Sequence, residues 1–86
     1  MERRVTLYKK AGCHLCDDAA ALLLRLQKAL QFDLQTVDIT SDPAIYARYK
    51  ESIPVVELNG QELLSAPIGE NMARAILTAR LAALGS

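Results

Sequence analysis

The chain has 86 residues, of which 51% are hydrophobic and 23% are charged, and ten basic residues balance ten acidic ones. This length predicts a single domain over residues 1–86, and the composition is typical of a folded globular protein. A neutral net charge argues against nucleic acid or an anionic membrane as the main partner. The longest apolar run, residues 19–24, is too short to cross a bilayer, so we expect no membrane span.

The N-terminus is charged, and no apolar stretch with a small-residue cleavage site follows it. We therefore expect a cytoplasmic protein, and we interpret the local basic cluster as solvent-exposed charge: Arg3, Arg4, Lys9 and Lys10. In a reducing compartment, two cysteines seldom form a structural disulfide. The cysteine pair of this chain therefore needs a chemical explanation.

The first half of the chain predicts a strand, a helix and a second strand. Residues 5–8 are β-branched and aromatic, which predicts a strand that ends before Gly12. Residues 13–30 predict a helix, because apolar residues recur at spacings of three and four: Leu15, Ala19, Leu22, Leu23, Leu26 and Leu30. Residues 32–39 predict a second strand, and its apolar residues of both parities suggest burial on two faces.

A second helix and a hairpin follow. Asp42 is a suitable N-cap and Pro43 a suitable first helical residue. Residues 54–58 and 61–65 predict two antiparallel strands, because the Asn59-Gly60 pair between them favours a turn with positive φ at both positions.

The last helix is predicted to run to about Leu84, with one apolar stripe: Met72, Ile76, Leu77, Leu81 and Leu84. The order of elements is then β-α-β-α-β-β-α. The strand–helix–strand opening implies a parallel pair, and the hairpin adds antiparallel strands. The sequence therefore predicts an α/β fold with a mixed four-stranded sheet flanked by helices.

Cys13 lies at the predicted start of the first helix, directly after a strand and a glycine-containing loop. Helix N-termini and Cys-x-x-Cys spacings both lower the pKa of a thiol, which makes Cys13 the candidate nucleophile. Cys16 lies one turn deeper on the same face, where it can attack a mixed disulfide. A protonated His14 would stabilise the Cys13 thiolate, whereas Asp17 and Asp18 would oppose it, so we expect a moderately lowered pKa.

Two other interpretations of the cysteine pair stay open. Two small core residues at helical spacing would look the same in the sequence. A metal site needs four ligands, and two thiolates and one imidazole supply too few unless a dimer shares the ion. We therefore assign no metal ligands. The strand–helix–strand context favours redox exchange, because there the Cys-x-x-Cys spacing signals thioredoxin-like chemistry.

The segments LYKKAGCHLC at residues 7–16 and SIPVVELNG at residues 52–60 resemble the glutaredoxin-like branch of the thioredoxin superfamily. The resemblance covers nearly the whole chain and implies a glutaredoxin-like thioredoxin fold. It also implies a thiol–disulfide oxidoreductase in which Cys13 is the nucleophile and Cys16 the resolving cysteine.

The same resemblance implies a cis-proline at Pro54 beside the disulfide and backbone pairing of Ile53 with an extended thiol substrate. Lys10 can attract a carboxylate of a peptide or of glutathione, or it is simply a solvated lysine. His14 stands where typical glutaredoxins have proline, and is similar to the histidine of oxidising disulfide isomerases. Residues 65–67 read Ser-Ala-Pro instead of the Gly-Gly that glutaredoxins use to hold glutathione.

The resulting functional prediction is exchange of a Cys13–Cys16 dithiol with disulfides of proteins or small thiols. We expect no tightly bound cofactor, with glutathione or a reductase as electron donor. No nucleic acid or membrane partner is expected, and the protein is predicted to be a monomer. The alternative is a non-enzymatic adaptor of the same fold that binds a partner or shares a metal ion.

Overall fold

The computed structural model describes residues 2–85 and contains one mixed sheet with the strand order β2-β1-β3-β4. The strands are β1 (Arg4–Lys9), β2 (Asp33–Asp38), β3 (Val55–Leu58) and β4 (Gln61–Ser65). The helices are α1 (His14–Leu30), α2 (Pro43–Tyr49) and α3 (Glu70–Ala83), and a short 3-10 turn, Ile39–Ser41, precedes α2. β1 is parallel to β2 and antiparallel to β3, and β3 is antiparallel to β4. The predicted element order and mixed sheet are confirmed.

Local signals in the sequence set the ends of several elements. Cys13 has extended backbone angles (φ −92°, ψ 104°) and is the N-cap of α1, so this helix begins one residue later than predicted. Asp42 caps α2 as predicted, with its carboxylate accepting a hydrogen bond from the Ala44 N–H at 2.8 Å. Asn59 (φ 51°) and Gly60 (φ 88°) both have the positive φ that the hairpin turn was predicted to require.

The two faces of the sheet carry different layers. α1 and α3 cover one face, where the main core lies: Val5, Leu7, Ala19, Leu22, Leu23, Leu26, Phe32, Val56, Leu58, Leu64, Ala73, Leu77 and Leu81. α2 and the 3-10 turn cover the other face, where Ile39, Tyr49 and Val55 form a smaller cluster. Because alternate residues of a strand face opposite sides, β1 contributes Leu7 to the first layer and Tyr8 to the second.

Three expectations about burial are wrong. Leu15 is 54% exposed and Met72 is 62% exposed, while Cys16 and Ala73, one residue later in each helix, are buried in their place. In each pair of neighbours, the apolar pattern predicted burial of the larger residue, although the buried face of a helix can accommodate the smaller neighbour instead. The expectation that β2 is buried on two faces is wrong because β2 is an edge strand, and most of its residues are exposed.

Arg3 also departs from its interpretation as a solvent-exposed charge. Its guanidinium donates hydrogen bonds to the carbonyl oxygens of Leu30 at 2.7 Å, Gln31 at 2.9 Å and Leu81 at 3.4 Å. The last carbonyl groups of a helix have no partner within the helix. One side chain from the N-terminus therefore caps the C-terminal ends of both α1 and α3.

None of the helices described within residues 2–85 combines the length and the apolar character that are needed to cross a membrane.

Candidate dithiol–disulfide site

Cys13 and Cys16 form a disulfide bond at the N-terminus of α1, with their Cα atoms 5.2 Å apart. The strand β1 and the turn at residues 10–13 deliver Cys13 to this end of the sheet, and the Cys13 N–H donates to the Lys10 carbonyl at 3.3 Å. Cys16 is completely buried, whereas Cys13 is only partly buried. The two sulfur atoms therefore differ in their access to an incoming disulfide.

The backbone of the first helical turn points at the Cys13 sulfur. The Cys16 N–H donates a hydrogen bond to Cys13 Sγ at 3.1 Å. This N–H is one of the groups that a helix N-terminus leaves without an internal acceptor, and it lies at the positive end of the helix dipole. Both effects stabilise negative charge on sulfur, so we expect the pKa of the Cys13 thiol in the reduced protein to lie below its ordinary value.

The two charged side chains with predicted roles at the site, His14 and Lys10, lie on the surface. The His14 side chain is 90% exposed, and its Nε2 lies 3.8 Å from Asp18 Oδ2, one turn further along α1. Lys10 is exposed in the turn before Cys13. Their roles in stabilising the thiolate and attracting a carboxylate stay predictions. Within residues 2–85, no three His, Cys, Asp or Glu side chains form a group that could hold a metal ion.

A groove of about 230 Å³ lies against Leu15, which stands between the two cysteines in the sequence. It is lined by Leu15, Asp18, Ala19, Leu22, Arg25, Pro54, Pro67, Ile68 and Glu70. Leu15, one of the two exposed residues between the cysteines, thus shares a groove with prolines from two separate loops. Six of the nine lining residues are apolar and three are charged, so the groove offers both apolar contact and polar partners to a docked substrate.

Both prolines of this groove follow cis peptide bonds. The Ile53–Pro54 bond is cis, as the resemblance implied, and Pro54 is buried while Ile53 is partly buried. The pairing of the Ile53 backbone with a substrate stays a prediction. The Ala66–Pro67 bond is also cis, and nothing in the sequence signalled it.

Two ion pairs lie next to the groove, one between α1 and α3 and one within α3. The Arg25 guanidinium of α1 lies 3.1 Å from the Glu70 carboxylate in the first turn of α3, and Arg74 lies 3.5 Å from the same carboxylate. All three side chains are about half exposed, so each pair contributes little to stability, roughly 0–1 kcal/mol. Their main effect is to balance charge at this end of the groove.

A buried carboxylate on the opposite face of the sheet was missed by the sequence reasoning. Glu57 in β3 is 7% exposed, and its Oε1 accepts a hydrogen bond from the Tyr8 hydroxyl at 3.0 Å. Its Oε2 accepts one from the Tyr49 hydroxyl at 2.8 Å. The two ring centroids are 4.8 Å apart, and the Arg48 guanidinium lies 5.1 Å from the centroid of Tyr49. The one available signal was a charged residue inside the apolar strand VVEL.

This cluster predicts a loss of stability at alkaline pH. Burial, together with the hydrogen bond to Glu57 and its negative charge, raises the pKa of Tyr49 to about 12 and raises the pKa of Tyr8 above 10.0. Above pH 10 the unfolded chain therefore loses these protons before the folded one does, so the free energy of unfolding falls as pH rises. The two tyrosine hydroxyls contribute their full stabilisation below their pKa in the unfolded chain, and this stabilisation is lost as pH rises through their pKa in the folded protein.

The measurement is urea unfolding of the oxidised protein and of Tyr49→Phe at several values from about pH 9 to pH 12. The stability advantage of the wild type over the variant should be constant at the lower end and shrink at the upper end. An advantage that stays constant throughout would contradict the prediction.

The fold is that of the thioredoxins. Thioredoxin 1 from Thermosipho africanus superposes on the chain with a TM-score of 0.61, covering 94% of each chain at 15% identity, a likeness that concerns the fold alone. A thioredoxin fold with a Cys-x-x-Cys pair at the start of its first helix supports a redox-type function. The class of protein is therefore a thioredoxin-fold protein with a Cys-x-x-Cys pair at the N-terminus of its first helix.

The chain belongs to the family described as glutaredoxin-like domain (DUF836), whose model matches residues 4–83. A solved structure of protein XcR50 from X. campestris has a TM-score of 0.75 and 33% identity, and covers 87% of this chain and 96% of that one. The structure of protein Ne2328 from Nitrosomonas europaea has a TM-score of 0.73 and 27% identity, and covers 87% and 91%.

Among sequence relatives, the uncharacterized protein Rv0508 of Mycobacterium tuberculosis is 34% identical over 77 residues, covering 84% of this chain and 79% of that protein. The family resemblance and the fold predicted from the sequence are thus confirmed.

Proposed function

We propose that the protein is a thiol–disulfide oxidoreductase that exchanges the Cys13–Cys16 dithiol with disulfides of proteins or small thiols. The observation that carries this proposal is the asymmetry of the pair. The residue Cys13 is partly exposed and its Sγ accepts a hydrogen bond from the Cys16 N–H at 3.1 Å, whereas Cys16 is fully buried. An accessible, stabilised thiolate suits attack, and a protected sulfur next to it suits resolution.

The exchange has two balanced steps. The Cys13 thiolate attacks one sulfur of the substrate disulfide, so that a mixed disulfide forms and the other substrate sulfur leaves as a thiolate. Cys16, deprotonated, then attacks Cys13 Sγ, which breaks the mixed disulfide and releases the second substrate thiolate. The protein ends with the Cys13–Cys16 disulfide, and two electrons have passed to the substrate.

The cycle needs a thiol donor to reduce Cys13–Cys16 again. Glutathione or a thiol-dependent reductase would supply these electrons, and no tightly bound cofactor is required. Such a donor is available in the cytoplasm, where we place the protein as a monomer. His14 and Lys10 are the charged residues proposed to assist, the first by stabilising the thiolate and the second by attracting a substrate carboxylate.

A redox titration tests the proposal. The protein is equilibrated in glutathione buffers from about −320 to −150 mV, quenched with acid and analysed by intact mass. We expect a loss of two hydrogens with a midpoint inside this window. A variant with serine at both Cys13 and Cys16 is the control and should not change in mass.

Two outcomes would contradict the exchange function. If Cys13 and Cys16 stay reduced over the whole range of potentials, the exchange mechanism is refuted. Purified protein from which zinc or iron must first be stripped would favour the metal-sharing adaptor instead. A glutathione adduct on Cys13 would identify glutathione as a direct partner.

A further inference from the structure

Glu57 is a buried charged residue that the proposed exchange does not use. Its two carboxylate oxygens are taken by two different phenols, Tyr8 from β1 and Tyr49 from the end of α2. An apolar residue inside β3 would avoid the cost of burying a carboxylate. The cost of burying Glu57 therefore suggests that the Tyr8–Glu57–Tyr49 cluster has a role besides packing, and its hydrogen bonds to the rest of the fold indicate what that role is.

Tyr49 connects the cluster to the turn that follows α2. Its backbone carbonyl accepts hydrogen bonds from the N–H groups of Ser52 at 2.9 Å and Ile53 at 3.2 Å. Tyr49 therefore holds the turn of residues 50–53 through its backbone, while its hydroxyl is held by Glu57. Pro54, directly after this turn, is buried and lines the groove together with Leu15.

The same turn also holds the second proline wall of the groove. The Ser52 carbonyl accepts a hydrogen bond from the Ala66 N–H at 3.2 Å, and Ala66 directly precedes Pro67. Separate hydrogen bonds thus link Glu57 to Tyr49 through its hydroxyl, Tyr49 to Ser52 through the Tyr49 carbonyl, and Ser52 to Ala66 through the Ser52 carbonyl. Such a chain of specific contacts is a physical route by which one face of the sheet sets the geometry of a site on the other.

We propose that Tyr49, held by Glu57, is a positioning residue that fixes the proline walls of the groove where a disulfide substrate docks. This inference rests on the proposed exchange function and extends it from the cysteines to the docking surface. Tyr49 packs in the cluster on the face of the sheet opposite α1, so it acts on substrate binding through the turn of residues 50–53. Tyr8 is the internal comparison, because it binds the same carboxylate but its backbone lies in β1 and carries no part of this turn.

The kinetic experiment compares Tyr49→Phe with Tyr8→Phe, since each removes one hydroxyl from the same carboxylate and keeps the ring. With native insulin as the disulfide substrate and glutathione as the thiol that re-reduces Cys13–Cys16, Tyr49→Phe should raise KM for insulin about three- to tenfold and leave kcat nearly unchanged. Tyr8→Phe should leave both constants near the wild-type values. Tyr46→Phe, which alters an exposed tyrosine of the same helix, is the matched control and should also behave as wild type.

The expected pattern separates positioning from simple stabilisation. A purely stabilising role would give Tyr49→Phe and Tyr8→Phe similar behaviour, because each loses one hydrogen bond to Glu57. Equal increases of KM in Tyr49→Phe and Tyr8→Phe, or no increase in either, would overturn the proposal. So would a Tyr49→Phe variant in which kcat and not KM changes.

A second measurement does not depend on activity. Amide hydrogen exchange of the oxidised protein should be faster at Ser52, Ile53 and Ala66 in Tyr49→Phe than in wild type, and unchanged there in Tyr8→Phe. If the wild type reduces no disulfide, the proposed function fails, and this measurement still decides whether Tyr49 holds the turn. Unchanged exchange at all three amides would refute the positioning role.

Thermal melts followed by circular dichroism accompany each variant. Should Tyr49→Phe not fold, Glu57→Gln replaces it in the hydrogen-exchange experiment, because glutamine keeps the shape of the side chain and weakens its bonds to the phenols. Faster exchange at Ser52, Ile53 and Ala66 would then support the proposal, and unchanged exchange would reject it.

Discussion

Replacing Cys13 by serine should abolish disulfide reduction, lowering kcat/KM by at least about a thousandfold, because a serine hydroxyl is a far weaker nucleophile at neutral pH than a thiolate. Replacing Cys16 by serine should have a different effect. The first attack by Cys13 remains, but the mixed disulfide is no longer resolved from within the protein. Intact mass after mixing with oxidised glutathione should therefore show a stable adduct on Cys16→Ser and none on Cys13→Ser.

The difference between these variants follows from accessibility. Cys16 is completely buried, so a substrate disulfide cannot reach its sulfur when Cys13 is absent. The rate of alkylation of Cys16→Ser as a function of pH reports the pKa of the Cys13 thiol, which we expect below the value of an ordinary cysteine. A glutathione adduct on Cys13→Ser would show that Cys16 is the nucleophile and would reverse the assigned roles. A Cys13 pKa equal to that of an ordinary cysteine would show that the helix N-terminus does not stabilise the thiolate.

Much of the fold is predictable because its signals are local. Asp42 followed by Pro43 starts a helix through contacts within a few residues, and Asn59-Gly60 closes a hairpin through its own backbone preferences. The Cys13–Cys16 pair is equally local, since its spacing and its place after a strand both appear in ten consecutive residues. Predicting any residue of the groove required the family resemblance, because that resemblance alone pointed to Pro54.

The features that the sequence did not predict depend on residues far apart in the chain. Glu57 meets Tyr8 across 49 positions, and Arg3 meets Leu81 across 78 positions. A single charged residue in an apolar strand, such as Glu57, does not indicate which residues it contacts. In the sequence, Arg3 cannot be distinguished from a solvent-exposed arginine. Such contacts follow from the tertiary fold, in which β1 and β3 are neighbours and α1 and α3 end at the same side of the molecule.

The two layers of the molecule have complementary tasks in this scheme. α1, on one face of the sheet, presents the disulfide and its stabilising N–H group. The cluster on the other face holds the turn that leads to Pro54 and, through Ser52, the loop that leads to Pro67. The cysteines would thus set the chemistry, while residues behind the sheet would set how well a substrate fits.

The stability of the fold should depend strongly on Arg3. Arg3→Ala removes three hydrogen bonds from a charged donor to the terminal carbonyl groups of α1 and α3. Bonds to charged groups and the favourable interaction of a cation with helix C-termini predict a loss of about 2–3 kcal/mol in the free energy of unfolding. For a domain of this size, such a loss corresponds to a fall of roughly 10 °C or more in Tm, which urea and thermal unfolding can both measure.

Arg4→Ala is the matched control, because the side chain of this neighbouring arginine forms an ion pair with Glu2 in which both side chains are about half exposed. Its loss should cost less than about 1 kcal/mol. Arg3→Lys should lie between the two, since an ammonium group keeps the charge near the helix ends but lacks the planar fork of donors that reaches several carbonyls. Equal stabilities for Arg3→Ala and Arg4→Ala would show that the caps of α1 and α3 contribute nothing, and that burial of the main core alone holds the two helix ends in place.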